Sequence, residues 1–444
     1  MPTNEEVLQA LSAIIDPDFN QDIVSLGFVQ EMSIENGHVA FNIELTTPAC
    51  PVKDQFKRAA ESAVSALEGV TSVAVTMTAR GQNASRGGSK ESGLDKVGAI
   101  VAISSCKGGV GKSTVAAMLA KEVASRGHRV GLLDADIYGP SVPTLFSLQD
   151  EDLKGTENEM ILPVEVDGLK VISFGFALKD APAVMRGAMV TQLVQQLLHQ
   201  ADWGELDYLF LDLPPGTGDI QLTITQSIQL DGAVIVTIPH QLSLADVGKG
   251  IRMFDKVNVP VLGIIENMAY FSCTGCGEKH YVFGESGSRA LQQRFGIEPL
   301  ADIPISPLMS GPLAALSASD IPGPVADAVI MALGKTKAGN LGRPRIDFNA
   351  KHIVLTWADG KISRVDNHAL RLHCGCANCV DEMTNERKIS ATDISDKICA
   401  MEVKTIGNYA VQIKWSDGHD TGLYPFNMIR SLGVEDPEVA NVDG

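Results

Sequence analysis

Two kinds of hydrophobic pattern alternate along the chain, and they predict a mixed α/β protein. The continuous apolar runs, typical of strands buried on both faces, are residues 97–103, 128–133, 206–211, 232–238 and 259–265. Helical patterns lie between most of these runs, beginning with residues 115–126. Because strands that alternate with helices form right-handed βαβ units, we expect a parallel sheet that binds its ligands beyond the carboxyl ends of its strands.

Changes in composition divide the chain of 444 residues into three units. Residues 81–96 and 336–346 are rich in glycine and polar residues and show no apolar period, which is typical of linkers. The predicted domains are therefore a small α/β unit over residues 1–80, a central unit over 97–335 and a small β-rich unit over 347–436.

The N-terminal unit contains one residue of chemical interest. Its predicted elements are a helix over 4–15, a strand over 37–45, a helix over 52–67 and a strand over 70–78. Cys50 lies between the first strand and the second helix, where helix-terminal N–H groups can lower its pKa and make it a ligand or nucleophile. The alternative is a small buried packing residue, a common role for a free cysteine.

The charge balance excludes some classes of partner. Acidic residues outnumber basic ones by 54 to 36, and the net charge of −18 argues against nucleic acid or an anionic membrane as the main partner. We find no apolar run near the ~18 residues of a membrane span, and no secretory or transit pattern at the N-terminus. We therefore expect a cytoplasmic protein, or the mature form of an organellar one.

A glycine-rich loop joins the strand at 97–103 to the helix at 115–126. Backbone N–H groups of such a loop and of the following helix bind phosphates, while its lysine reaches the outer phosphates and its serine takes a Mg²⁺ position. The candidate ATP-binding residues are Gly108, Gly109, Gly111, Lys112, Ser113 and Thr114. Position 106, where the pattern GxxxxGK[ST] has its first glycine, is a cysteine.

Further polar residues follow other predicted strands. Asp136, Asp212 and Asn267 each lie at or just beyond a strand end, at the edge where the glycine loop also lies. Asp212 suits the Mg²⁺ shell, and Asp136 is placed to orient the water that attacks the γ-phosphate. Taken singly, each residue can be a cap or a turn former.

Cys273 and Cys276 form a C-x-x-C on a glycine-containing turn after the strand at 259–265. Two thiolates are half of the ligands of a tetrahedral zinc or a 4Fe-4S cluster, so a twofold homodimer would supply four sulfurs on its axis. A redox dithiol and a bridging zinc are the alternatives.

The C-terminal unit carries a second group of possible metal ligands. Cys374, Cys376 and Cys379 are closely spaced, and His419 would complete a Cys₃His set that suits a structural Zn²⁺. His373 and Cys399 compete for the fourth position. An iron-sulfur role and unliganded thiols remain as alternatives.

The glycine loop is also specific enough to suggest a family. With its additional lysine, Lys107, it resembles the deviant Walker A motif of the MinD/ParA/nitrogenase-iron-protein class. This resemblance implies that Lys107 crosses a homodimer interface to the partner's nucleotide, that segments 134–136 and 212–219 are switch regions, and that Asn267 contacts adenine. The two switch sequences are similar to those of the Mrp/ApbC iron-sulfur carrier branch.

The resemblance extends over nearly the whole chain. The sequence Glu-Asn-Met-Ala-Tyr-Phe-Ser-Cys-Thr-Gly-Cys, starting at residue 266, is similar to the cluster-binding motif of the Mrp/ApbC family. The C-terminal unit resembles the N-terminal domain of γ-butyrobetaine hydroxylase, in which CxCxxC and a later histidine bind zinc. The order of the three units resembles plastid iron-sulfur assembly factors of the high-chlorophyll-fluorescence type and their bacterial relatives, which leaves either the plastid stroma or the bacterial cytoplasm as the location.

The resemblance implies an ATP-dependent scaffold or carrier. It would hold a labile 4Fe-4S cluster on Cys273 and Cys276 at a homodimer interface, receive it from donor scaffolds and transfer it to apo-proteins. The main alternative is a zinc-bridged, MinD/ParA-like regulatory or positioning ATPase. A third hypothesis, a reductase like the nitrogenase iron protein, fits less well because the ligand cysteines of that protein are far apart in sequence.

Overall fold

The structure is a computed structural model. It describes residues 2–17, 19, 21–49, 51–79, 92–156, 160–178, 187–273, 275–284, 287–306, 313, 322–338, 344–357, 360–376, 378–381, 386–406 and 409–435. Cys50, most of the predicted linker at 81–96, part of that at 336–346 and residue 436 lie outside the described residues, so the predictions made for them stay predictions.

The N-terminal unit is a three-stranded sheet with two helices. Its elements are α1 (Asn4–Leu11), β1 (Ile15–Asp16), β2 (Gln21–Asp22), β3 (Val29–Glu35), β4 (His38–Leu45), α2 (Lys53–Ser65) and β5 (Ser72–Ala79). The central strand β4 pairs with β3 in antiparallel and with β5 in parallel orientation. The helix predicted over 4–15 ends at Leu11, because Ile15 and Asp16 pair with β2 instead.

The central unit is built on one eight-stranded sheet. Its strands are β6 (Val97–Ser104), β7 (Val130–Asp134), β10 (Val164–Val166), β11 (Leu169–Ser173), β12 (Leu206–Asp212), β13 (Gly232–Thr237), β14 (Val261–Glu266) and β17 (Pro299–Asp302). They lie in the order β10-β11-β7-β12-β6-β13-β14-β17, and every neighbouring pair except β10 and β11 is parallel. The predicted parallel sheet is confirmed.

Helices cover this sheet, and the central unit also contains two short strand pairs. The helices are α3 (Lys112–Ser125), α4 (Val142–Leu145), α5 (Phe174–Leu178), α6 (Gly187–His199), α7 (Asp219–Ser227), α8 (Gln241–Lys256), α9 (Gly287–Phe295) and α10 (Pro322–Lys337). The short strands are β8 (Lys154–Gly155), β9 (Ile161–Leu162), β15 (Phe271–Ser272) and β16 (Lys279–His280). None of the described helices combines the length and the apolar composition that a transmembrane span requires.

The apolar strands of the central sheet are buried on both faces. Along β12, Leu209 and Leu211 belong to one buried apolar cluster, whereas Tyr208 and Phe210 belong to a second. Successive side chains of a strand point to opposite faces, so the two clusters lie on the two sides of the sheet. This double burial explains why the strands appear in the sequence as continuous apolar runs.

The C-terminal unit is β-rich, as predicted. It consists of β18 (Arg345–Phe348), β19 (His352–Thr356), β20 (Ile362–Asp366), α11 (Asn367–Leu372), β21 (Ala400–Ile406), β22 (Ala410–Trp415), β23 (Leu423–Pro425), α12 (Phe426–Leu432) and β24 (Val434–Glu435). Its sheets have the orders β18-β19-β20-β24 and β21-β22-β23. Their shared core includes the fully buried rings of Trp415 and Tyr424, which meet edge to face.

The packed structure reaches into both predicted linkers. In the first, Leu94 is buried in the central core, and the N–H of Gly93 donates to the carbonyl of His199. In the second, α10 continues to Lys337, beyond the expected boundary at residue 335, because Leu333 and Gly334 are buried in its last turns.

Candidate nucleotide and metal sites

The carboxyl ends of β6, β7 and β12 form the floor of the candidate nucleotide site. Strand β12 lies between β6 and β7, and its register places Asp212 beside Asp134. The glycine loop continues from β6 into α3, so it lies at this same edge. Parallel pairing thus brings together the loop and the acidic strand ends that the sequence places far apart.

Left-handed backbone at two glycines shapes the loop. Gly109 and Gly111 have φ values of +80° and +83°, which residues with a side chain rarely adopt. Gly111 is also the N-cap of α3, so the loop N–H groups and the helix N-terminus face one volume. A Cβ atom on Gly111 would lie 2.3 Å from Nδ2 of Asn267, hence this position has no room for a side chain.

Asn267 supports the loop from the end of β14. Its buried side-chain amide donates a 2.9 Å hydrogen bond to the carbonyl of Val110. The backbone N–H of Asn267 donates to the carbonyl of Thr237, at the end of β13. The structure therefore places Asn267 under the loop as a positioning residue, and the adenine contact expected from the resemblance stays a prediction.

Lys112 and Asp212 form a buried ion pair in the site. The Lys112 ammonium contacts Oδ1 of Asp212 and lies 3.3 Å from Oγ of Ser113. The other carboxylate oxygen of Asp212 is buried and has no hydrogen-bond partner in the described part of the chain. Burial raises the pKa of Asp212, although Lys112 acts in the opposite direction. Such an unpartnered oxygen beside a serine hydroxyl fits a position in a Mg²⁺ shell.

Asp134 and Asp136 stand at the end of β7, next to this pair. Burial and, second, the charge of Asp212 raise the pKa of Asp134 to about 7. Asp134 accepts hydrogen bonds from the N–H groups of Asp136 and Val142 and from the hydroxyl of Ser173. It therefore acts as a structural anchor for the segment that carries Asp136, the residue expected to orient the attacking water.

The second loop lysine, Lys107, points to α8. Its ammonium lies 3.2 Å from the carboxylate of Asp246, which also contacts Lys249. Lys107 is 36% exposed, so it lies at the surface of the site rather than among the buried acids. In a single chain Lys107 thus forms an ion pair with Asp246 of α8, and its contact with a partner's nucleotide stays a prediction.

Cys106 is accommodated by a glycine on α8. A Cβ atom on Gly250 would lie 2.5 Å from Sγ of Cys106, so the two residues are complementary in size. Burial raises the pKa of Cys106 to about 11. The thiol is therefore protonated at neutral pH and fills space in place of the glycine that the general pattern has at this position.

Cys273 and Cys276 lie on an exposed hairpin, β15 and β16, beyond β14. Hydrogen bonds from the N–H groups of Cys276 and Gly275 lower the pKa of Cys273. The hairpin region is unusually apolar for a surface, and its exposed large side chains are Phe271, Tyr281, Val282 and Phe283. The site therefore offers two accessible sulfurs surrounded by apolar surface.

Three C-terminal cysteines converge on one histidine, His419. The sulfurs of Cys374, Cys376 and Cys379 lie 3.2, 3.5 and 3.8 Å from Nε2 of His419. Zinc bonds of ordinary length at tetrahedral angles would separate nitrogen and sulfur by about 3.6 Å. The three cysteines are buried and His419 is half-buried, so the group has the dimensions of a closed site for a single ion.

Neither competing fourth ligand belongs to this group. The ring of His373 bonds back to the carbonyl of Ala369, and Cys399 lies outside the cluster of four. Arg371, which the sequence did not single out, contacts Sγ of Cys379 at 3.4 Å and Oδ2 of Asp417 at 2.9 Å. This guanidinium fixes the cysteine loop relative to the turn that carries the histidine.

Helix α9 connects the end of β14 with the C-terminal cysteine site. At its N-terminus, N–H groups of Gly287 and Ser288 donate to the buried carboxylate of Glu266, which immediately precedes Asn267 in sequence. At its other end, Arg294 donates a 2.9 Å hydrogen bond to the carbonyl of Gly375, between two of the C-terminal cysteines. One short helix therefore links the loop-supporting end of β14 to the C-terminal metal-type site.

Three family profiles match the chain in succession. They are described as an iron-sulfur cluster assembly protein over residues 4–76, a NUBPL iron-transfer P-loop NTPase over 96–316, and a γ-butyrobetaine hydroxylase-like N-terminal domain over 345–430. A solved structure, the ADP complex of a nucleotide-binding protein from Archaeoglobus fulgidus, is 41% identical and covers 54% of this chain and 89% of its own, with a TM-score of 0.45.

Curated relatives match over most of their lengths. The chloroplastic Fe-S cluster assembly factor HCF101 of Oryza sativa subsp. japonica is 43% identical, and the match covers 96% of this chain and 82% of that protein. The iron-sulfur cluster carrier protein of Synechocystis is 41% identical, over 69% of this chain and 88% of its own length. The chain therefore belongs to the family of NUBPL-type iron-transfer P-loop NTPases, together with these assembly factors and carriers.

Proposed function

We propose that the protein is an ATP-dependent carrier that holds a 4Fe-4S cluster as cargo between two copies of the chain and passes it to apo-proteins. The observation that carries this proposal is the pair of cysteines, half-buried Cys273 and exposed Cys276, on an apolar hairpin that follows β14 beyond the nucleotide site. The positioning-ATPase alternative is not favoured, since the relatives are named as assembly factors, carriers and transfer proteins.

A second copy of the chain would complete the cluster site. Two thiolates supply half of the ligands of a 4Fe-4S cluster, and a twofold axis through the hairpin supplies the other half. The exposed Phe271 and Val282 beside the cysteines support this arrangement, because an apolar surface is stabilised by burial in an interface. The same exposure suits a cargo that must leave again for a client protein.

Nucleotide would act through the residues at the strand ends. Lys112 would exchange its contact with Asp212 for the outer phosphates, and the released carboxylate would join Ser113 in holding Mg²⁺, which neutralises phosphate charge. Asp136 would orient the water, and Lys107 would leave Asp246 to reach the partner's nucleotide. Asn267 touches the loop and precedes the hairpin by a few residues, so ATP binding and cluster affinity have a short path of coupling.

The C-terminal unit would contain a structural Zn²⁺ held by Cys374, Cys376, Cys379 and His419. The nitrogen–sulfur distances of 3.2–3.8 Å support a single ion. The ligands of a cubane cluster bind different iron atoms, so they lie farther apart than this. Plastid stroma and bacterial cytoplasm are the locations that fit the named relatives, and donor scaffolds and apo-proteins are the partners that a carrier requires.

Anaerobic reconstitution with iron and sulfide tests the carrier function. We expect about four iron and four sulfide per dimer and about one zinc per chain. The variant Cys273→Ser/Cys276→Ser should lose iron and sulfide but keep zinc and nucleotide binding, whereas Cys399→Ser, a half-buried thiol outside both groups, serves as the matched control. Lys112→Ala should abolish ATP turnover. Absence of sulfide from the wild-type protein would refute the proposal.

A further inference from the structure

The exposed cysteine hairpin contains a third possible ligand within the same chain. The ligand atoms of Cys273, Cys276 and His280 all lie within 4.8 Å of one another. No feature of the sequence marks His280, because it is separated from Cys276 by three unremarkable residues. Two sulfurs and one imidazole nitrogen on one small turn are donors that suit zinc and ferrous ions.

The register of the hairpin places His280 beside the thiols. Phe271 pairs with His280, and Ser272 pairs with Lys279. Paired residues point to the same face and successive residues alternate, so Cys273, two residues after Phe271, lies on the face of His280. The turn is closed by hydrogen bonds from the N–H of Cys273 to Glu278 and from Gly277 to Cys273, which bring Cys276 back to this face.

The opposite face of the hairpin has a different composition. There the ammonium of Lys279 lies 4.2 Å from the ring centroid of Tyr270, and Tyr281 packs against the same ring. The positive charge is thus directed away from the donor face, where it would oppose a cation. The hairpin therefore separates a face that carries Lys279, Tyr270 and Tyr281 from a face that carries the three donors.

We propose that each single chain binds one divalent transition-metal ion, of the zinc or ferrous class, through Cys273, Cys276 and His280. Three protein ligands leave a fourth position open, as in sites that exchange ligands rather than closed structural ones. The inference rests on the proposed function only in taking the two thiolates as ligands, and it differs in requiring one copy instead of two. The ion and the bridging cluster compete for the same sulfurs, so His280 is a ligand of the single chain alone.

Cobalt titration of the full-length protein tests this site. The protein is first loaded with one equivalent of Zn²⁺, which the buried Cys₃His group takes and which Co²⁺ displaces poorly. Nucleotide-free protein at a concentration where its mass is monomeric is then titrated with Co²⁺, and thiolate-to-cobalt absorption is recorded. Cys273→Ser/Cys276→Ser provides the blank, and Lys279→Ala, on the opposite face of the same hairpin, is the matched control for His280→Ala.

We expect about one Co²⁺ per monomer in the wild-type and Lys279→Ala proteins and none in the double cysteine variant. Loss of outer-shell partners weakens metal binding about 10- to 100-fold, so removal of a direct ligand in His280→Ala should weaken it by at least about tenfold. Unchanged Co²⁺ affinity of His280→Ala, or Co²⁺ uptake only by dimers, would overturn the proposal.

Iron-sulfur reconstitution separates this inference from the carrier function. His280→Ala should still assemble the cluster with four iron and four sulfide per dimer at the wild-type yield, because the cluster uses only thiolates. A carrier that assembles a cluster but shows no Co²⁺ site would refute the three-ligand site alone. A protein that binds Co²⁺ through His280 but never retains sulfide would refute the carrier function alone.

Discussion

Replacing Lys112 with methionine should destabilise the central unit as well as abolish nucleotide binding. The methionine side chain has a similar length but no charge, so Asp212 would be left buried beside Asp134 without its cation. Removing one partner of a buried ion pair usually costs about 3–5 kcal/mol, because the remaining charge is uncompensated. We therefore expect a loss of this size in the free energy of unfolding at pH 8.

The loss should depend on pH in a defined direction. The pKa of Asp134 in the folded chain is about 7, compared with an ordinary 3.8. A carboxyl group whose pKa is raised in the folded state takes up its proton more readily there. The destabilisation that its buried charge causes is therefore absent below about pH 4, grows as the pH rises to 7 and reaches its full size above that pH. Without Lys112 the acids should titrate at still higher pH, so the variant should approach wild-type stability in acid.

Hydrogen exchange under increasing urea provides the assay, because the chain has several domains and one global transition is not assured. Peptides from β6 and β12 report opening of the central sheet. Lys121→Met is the matched control: this lysine lies on the same helix, and its partly exposed ion pair with Asp167 should contribute at most about 1 kcal/mol. Equal losses for the two lysine variants, or a loss for Lys112→Met that is the same at pH 5 and pH 8, would refute the reasoning.

Three further outcomes follow from the local geometry. Gly250→Ala should destabilise the loop and weaken nucleotide binding through the clash with Cys106, and Cys106→Gly should rescue it; a double variant as weak as Gly250→Ala in nucleotide titration would contradict the packing role. Arg371→Ala should weaken zinc binding about 10- to 100-fold in competition with a chromophoric chelator, and unchanged affinity would remove its supporting role. Stripping zinc should unfold the C-terminal unit by circular dichroism while ATP turnover persists, since only the former depends on the ion; loss of both would contradict a local structural role.

The sequence predicts those parts of the site that local patterns control. A buried parallel strand must be apolar and must end where the sheet ends. The apolar runs before Lys112 and before Asp212 therefore both indicate the sheet edge at which the candidate nucleotide site lies. The sequence indicates the C-terminal candidate ligands because C-x-C-x-x-C places three sulfurs on one turn. His419 was one of three possible fourth ligands, and only the packing of the turn after β22 against that loop distinguishes them.

Other features depend on tertiary contacts that no local pattern records. The sequence does not predict strands β10, β11 and β17 of the central sheet. Strands β10 and β17 are short and lie at the two edges of the sheet, and none of the three has a long apolar run. The size complementarity of Cys106 and Gly250 joins residues that are distant in sequence. The place of His280 depends on a ladder of two residue pairs, and a shift by one residue would turn its ring to the other face.

The two cysteine sites have related donors but opposite exposure, and this difference assigns them different tasks. The C-terminal group has four candidate ligands, three of them buried, so an ion bound there would be released only when the surrounding core opens. In the hairpin, Cys273 is half-buried and Cys276 is exposed, and the described part of one chain offers three donors there, so a bound ion or cluster would have a side open to another ligand. A closed site with four ligands would retain its ion, whereas a site with an open ligand position would allow transfer. Under the proposed function, a protein that keeps one metal while delivering another needs both arrangements, and α9 contacts both the end of β14 and the C-terminal cysteine loop.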